Sequence, residues 1–132
     1  MDTDDSLSTA VVVGDDGGAV LKKVSSTLEK AGFVVMTASS KAALDRCGEQ
    51  HRPVDLAVID TGGAGMKALE VAERLQQMSP RVRMLFLSDG AEAPTEGTLP
   101  GNSRQFLQKP FRRSRFLGRV LEIMEKPKAL TA

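Results

Sequence analysis

Short β-branched and aliphatic runs alternate along the chain with stretches where apolar residues recur every three or four positions. Thr9–Val13, TAVVV, is stopped by Gly14 and reads as a buried strand. After Gly17 and Gly18, the residues Val20, Leu21, Val24, Leu28 and Ala31 keep helical spacing, and Gly32 stands where a C-terminal cap belongs. Residues 33–37 are strand-like, and Ser39 or Ser40 is placed to cap a helix with Ala43, Leu44 and Cys47 on one side, ending before Pro53. A third buried run, 56–59, ends at Asp60 and passes into a Thr61-Gly62-Gly63 loop. Met66, Leu69, Ala72 and Leu75 mark the next helix, 83–87 a fourth strand ending at Ser88, and 105–107 a short fifth strand before Lys109 and Pro110. Residues 114–125 close the pattern as a helix with Phe116, Leu117, Val120, Leu121 and Met124 facing inward. Between the last two strands, Gly90, Pro94, Gly97, Pro100 and Gly101 oppose a long helix, so residues 89–103 are predicted to hold at most one or two turns.

This alternation predicts an α/β chain with right-handed crossovers and helices on both faces of a parallel sheet. Five strands fit a flavodoxin-like doubly wound order, 2-1-3-4-5, with a shortened or irregular fourth helix. In that order strands 1 and 3 are neighbours where the winding reverses, and ligands bind beyond the carboxyl ends of such strands. Asp15 and Asp16 follow strand 1, Asp60 ends strand 3, Ser88 ends strand 4 and Lys109 follows strand 5. One domain is expected over 9–125, with an acidic start (1–8) and a tail (126–132) both expected to be disordered.

Composition narrows the function classes. The chain has 132 residues, 41% apolar and 27% charged, enough for one core. Eighteen basic against 17 acidic side chains argue against coating a polyanion. Apolar runs such as 10–13 and 84–87 fall far short of the roughly 20 residues a bilayer span needs. The acidic start is the reverse of a basic secretory n-region, and the single Cys47 excludes an internal disulfide, so a cytoplasmic home is expected, with no membrane contact by this domain. Basic residues gather late, at Arg104, Lys109, Arg112, Arg113, Arg115, Arg119, Lys126 and Lys128; these read as a solvated helix face in preference to a docking surface, and those of the last helix are too few for direct nucleic-acid binding.

Three carboxylates converging at one sheet edge repel one another unless a cation sits among them. Mg²⁺ suits an all-oxygen set in an open crevice, and His51 and Cys47 lie on the helix 2 side, away from it. The loop 14–18 lacks G-x-G-x-x-G and G-K-[ST], and its acids would repel a pyrophosphate. Asp60 is placed to act as a nucleophile toward a phosphoryl group, with Lys109 and the Ser88 hydroxyl neutralising its oxygens. Taken singly, Asp15 and Asp16 also suit helix capping, Ser88 a turn and Lys109 the surface. Their joint position at the ends of different strands favours one site.

These residues resemble the response-regulator receiver family. The resemblance rests on V-V-V-G-D-D, on L-A-V-I-D with Met66 six residues past Asp60, on L-F-L-S, and on F-L-Q-K-P-F, and it spans about residues 9–125. It implies that Asp60 is the phosphoacceptor, and that Asp15, Asp16, Asp60 and the Gly62 carbonyl bind Mg²⁺. It likewise implies Lys109 as the phosphate-binding lysine, Ser88 as the switch hydroxyl, Phe106 as the switch aromatic, and a cis Lys109-Pro110 bond. Phe106 also suits plain strand core. Gly63 and Ala64 replace the usual Met-Pro, Lys67 and Ala68 the polar-Gly pair, and Asp89 a small residue. The run from L-F-L-S-D-G through L-P-G-N-S-R-Q-F-L-Q-K-P-F is similar to receivers attached to hybrid sensor histidine kinases.

The function so implied is a phosphorelay domain, not a classical enzyme, that catalyses its own phosphorylation and dephosphorylation. It would take its phosphoryl group from a histidine kinase or histidine phosphotransfer domain. Phosphorylation is then expected to change the order of residues 89–103. Two other readings stay open. An Asp-nucleophile phosphatase of the haloacid-dehalogenase type needs an acid two residues past Asp60, where Gly62 stands. A pseudo-receiver would bind a partner without phosphate.

Overall fold

A computed structural model of the chain describes residues 8–14, 18–48, 53–60, 68–89 and 104–125. Within these, β1 (Thr9–Val13), β2 (Val34–Ala38), β3 (Leu56–Asp60), β4 (Arg83–Asp89) and β5 (Arg104–Lys109) alternate with α1 (Ala19–Lys30), α2 (Lys41–Gly48), α3 (Ala68–Met78) and α4 (Arg113–Glu125). The five strands form one parallel sheet in the order β2-β1-β3-β4-β5, the expected doubly wound topology. The irregular fourth helix is expected within residues 89–103; Asp89 instead ends β4, and 90–103 lie outside the described residues, as do 1–7 and 126–132.

Strand side chains point alternately to the two sheet faces, and each face is covered, so the central strands are apolar at nearly every position. Val11, Val13, Ala57, Ile59, Met84 and Phe86 face one way and pack with Leu44 and Cys47 of α2 and Val71, Ala72 and Leu75 of α3. Ala10, Val12, Leu56, Val58, Leu85 and Leu87 face the other way, onto Val24 and Leu28 of α1 and Phe116, Val120 and Ile123 of α4. Polarity is thereby displaced to the strand ends.

Local signals set the element boundaries. Gly18 is the N-cap of α1, which places Asp15 and Asp16 before the cap position. At the other end Gly32 has φ of +100°, a left-handed conformation that favours glycine. The Phe33 amide then donates back to the Leu28 carbonyl, closing a Schellman-type stop. Of the two candidate serines, Ser40 caps α2, its Oγ accepting from the Ala43 amide at 3.1 Å. β2 begins one residue later than the apolar run suggests. β5 runs to Lys109 because its polar residues continue the ladder with β4, Asp89 pairing with Lys109.

The amino end of the sheet is closed by hydrogen bonds. The Asp55 carboxylate accepts from the Thr9 amide at 2.8 Å, its own amide donates to the Thr9 carbonyl at 2.8 Å, and its carbonyl accepts from the Arg83 amide at 3.0 Å. Arg83 also donates through Nη1 to the carbonyls of Ile123 and Met124, each at 2.8 Å, satisfying the end of α4. Phe86, fully buried and tilted against Phe106 with centroids 5.5 Å apart, joins the α2/α3 core to the edge strand. Phe86→Ala is expected to cost about 3–5 kcal/mol, read as a lower urea midpoint with an unchanged slope.

Candidate functional site

Strand register brings the polar strand ends together. Asp60 pairs with Leu87 across β3 and β4, and Lys109 pairs with Asp89 across β4 and β5. Ser88 is the residue between those two partners. Asp60 follows Leu56 and Val58 by alternation, and Lys109 follows Leu107, so both project toward the α1/α4 side of the sheet. Lys109 reaches over the end of β4, and its Nζ meets Asp60 Oδ1 at 2.7 Å. The two side chains are 12% and 17% exposed, so the pair is shielded from bulk water yet open on one side. Such shielding strengthens the attraction relative to a surface pair.

Ser88 is 3% exposed, on the same alternating set as Met84 and Phe86. Phe106 is half-buried and packs on that core beside Phe86, which fits its reading as strand core; nothing in this packing assigns it a switch role. The Lys109-Pro110 bond is cis, as the resemblance implies. Asp15, Asp16 and Gly62 lie outside the described residues. Among the described residues no cluster of three or more His, Cys, Asp or Glu side chains could hold a metal, so of the expected ligands only Asp60 has a described position. Its Oδ2 faces Gly14, 3.9 Å from where a Cβ would sit there, and the next two residues of the chain are Asp15 and Asp16. A carboxylate oxygen is the kind of donor a hard divalent cation takes. Cys47 takes no part, being buried in the α2/α3 core, where burial pushes its thiol up against a smaller downward pull from Arg46.

Gly14 was legible in the sequence only as the stop of β1. A Cβ on it would lie 3.4 Å from Asp60 Cβ and 3.6 Å from Leu21 Cδ1. Its backbone is buried, and its amide donates to the Ala38 carbonyl at 3.1 Å. The β1–β3 register, Val13 opposite Ile59, places this glycine beside Asp60, so it lines one wall of the carboxylate. The sequence carries that signal only through the β1–β3 pairing, which sets the residue after Val13 beside the residue after Ile59.

Comparison with known proteins gives a consistent identification. The family model described as the response regulator receiver domain matches residues 11–121. The chain is similar to the photosynthetic apparatus regulatory protein RegA of Cereibacter sphaeroides, 31% identical over 102 residues covering 76% of this chain and 55% of that protein. It is also similar to the sensor kinase CckA of Brucella abortus, 30% identical over 126 residues, 94% of this chain but 13% of that protein. It therefore spans about half of the first relative and a small part of the second. Among solved structures, a response regulator receiver protein from Sinorhizobium medicae superposes with a TM-score of 0.74 at 22% identity, covering 91% of this chain and 96% of that one.

The Gly14 wall yields a stability prediction. Ala fits at ordinary contact distance, so Gly14→Ala is expected to stay within about 1 kcal/mol of wild type. Gly14→Val adds branches that must displace Asp60 or Leu21 and is expected to cost about 1–3 kcal/mol. Urea unfolding of both variants checks the difference.

Proposed function

The chain belongs to the response regulator receiver domain family, and on that footing we propose that it accepts a phosphoryl group from a phosphohistidine onto Asp60 in a two-component phosphorelay. The observation that carries this reading is the Lys109 Nζ to Asp60 Oδ1 contact of 2.7 Å at the carboxyl end of the sheet. A carboxylate there is exposed enough to be reached and close enough to a cation for its phosphorylated form to be stabilised. In the transfer, the N–P bond of the phosphohistidine breaks as an O–P bond forms at Asp60, and the leaving imidazole takes up a proton. The reaction needs chiefly alignment and charge neutralisation. Lys109 supplies one fixed positive charge, with its backbone held by the β4 ladder. Ser88, between the strand partners of Asp60 and Lys109, is the group proposed to donate to a phosphoryl oxygen and, with Phe106, to pass the change onward.

Asp15, Asp16, Asp60 and the Gly62 carbonyl are the proposed holders of Mg²⁺. When bound, the ion supplies positive charge that offsets the oxygens of the transferring group. Gly14, which precedes Asp15 and Asp16 in the chain, flanks Asp60 without a side chain. The proposed partner is a histidine kinase or histidine phosphotransfer domain, in keeping with the similarity to part of a sensor kinase. The proposed setting is the cytoplasm; no helix among the described residues is long and apolar enough to cross a membrane.

Incubation with a small phosphodonor and Mg²⁺, followed by intact mass, tests the reading. Wild type is expected to gain one phosphoryl group, and Asp60→Ala or an EDTA-treated sample none. A wild type that stays unmodified under these conditions would favour a pseudo-receiver instead. Lys109→Ala is expected to slow the gain by about 100-fold, the scale of removing one electrostatic stabiliser. Asp16→Asn is expected to weaken Mg²⁺ binding in calorimetry, the suitable method because the chain has no Trp or Tyr.

A further inference from the structure

Lys109 is useful only if its ammonium is delivered to Asp60, and the chain that delivers it is fixed at two points. On the amino side, β5 is laddered to β4 as far as the Asp89–Lys109 pair. On the carboxyl side, Pro110 has a ring-locked φ, and the next residue, Phe111, is 8% exposed. The Phe111 ring stacks on Phe116 of α4, with centroids 5.7 Å apart and an interplanar angle of 25°. What holds Phe111 from the other side is a residue of α1, 88 positions away in the chain. The Lys23 ammonium donates to the Phe111 carbonyl and lies over the same ring, 4.8 Å from its centroid.

The turn of α1 that bears Lys23 is itself tied. The Lys23 carbonyl accepts from Thr27 Oγ1 at 2.7 Å and Ser26 Oγ at 3.2 Å, and Ser26 Oγ accepts from Arg113 at 3.3 Å. Lys23 is half-buried, so its charge-assisted bond is partly sheltered from water. Between the anchored Phe111 carbonyl and the laddered backbone of Lys109 few torsions are left to vary.

From this geometry we propose that Lys23 is a positioning residue for Lys109: by gripping the carbonyl and ring of Phe111, it fixes the turn after β5 and so the placement of the Lys109 ammonium on Asp60. The inference rests on the phosphoacceptor reading above. It separates Lys23 from the exposed Arg112, Arg113 and Arg115, since its cation is spent inside the molecule and not on a solvated face.

The test is the initial rate of phosphorylation by a small phosphodonor with Mg²⁺, which needs no protein docking surface. Lys23→Met keeps the apolar stem and removes the cation and donor; it is expected to slow the reaction about tenfold, the scale of a small misplacement of a reacting group. In a Lys109→Ala background the same substitution is expected to have no further effect, because a residue acting through Lys109 loses its influence once Lys109 is gone. Ser26→Ala, which removes the Arg113 tether and the bond to the Lys23 carbonyl but leaves the Lys23 ammonium on Phe111, is expected to react at the wild-type rate. Should Lys23→Met fail to unfold cooperatively, Lys23→Gln takes its place. A wild-type rate in the Lys23 variant, or an undiminished loss in the Lys109→Ala background, would overturn the proposal. A wild type that accepts no phosphoryl group would overturn the phosphoacceptor reading instead.

Discussion

β1, β3 and β4 are buried on both faces, and most of what distinguishes this molecule follows from that constraint. A strand covered on both sides has no place along its length for a charge, because a buried ion without partners costs far more than the fold's margin of stability. Leu56, Ala57, Val58 and Ile59 obey this, and the next residue is Asp60. The same holds in β4, where Met84, Leu85, Phe86 and Leu87 precede Ser88. Reactive groups collect at the carboxyl ends because there the apolar cover stops while the ladder still fixes the backbone.

The two ends of the sheet are treated differently. At the amino end Asp55 answers the Thr9 amide, and its backbone is bonded to neighbours on both sides, so its charge serves to finish the ladder. At the carboxyl end Asp60 is met by a side chain, Lys109, that comes from two strands away. A partly buried ion pair of this kind is a poor source of stability, since desolvating the two groups offsets much of their attraction. Its presence where apolar packing would have served better is what makes a chemical role the economical explanation.

How much of this was legible in the chain depended on the range of the interaction. Runs such as TAVVV and LAVID, the glycine after α1 and the serine before α2 carry local signals, and they placed the elements within a residue or two. The apolar pattern marks only part of β5 because Gln108 and Lys109 are polar; an edge strand needs only one apolar face, and its extent is set by pairing with β4, which composition does not display. Asp60 and Lys109 could be brought together on paper because strand order alone places their ends side by side. Gly14 was readable only as a stop, although the β1–β3 register makes it the wall of Asp60.

Lys23 shows where sequence reasoning ends. Its neighbours Val20, Val24 and Leu28 announce an amphipathic helix, and a lysine beside that stripe is ordinarily a solvated one. Whether it meets water or a carbonyl depends on how closely α1 and α4 approach on the same sheet face, which is decided by Val24, Leu28, Phe116 and Val120 packing into one apolar cluster there. The apolar core thus does more than hold the sheet: by setting the distance between these two helices it converts a surface cation into a grip on the turn that carries Lys109. Repacking of that core and the reach of the lysine at the site are therefore mechanically linked.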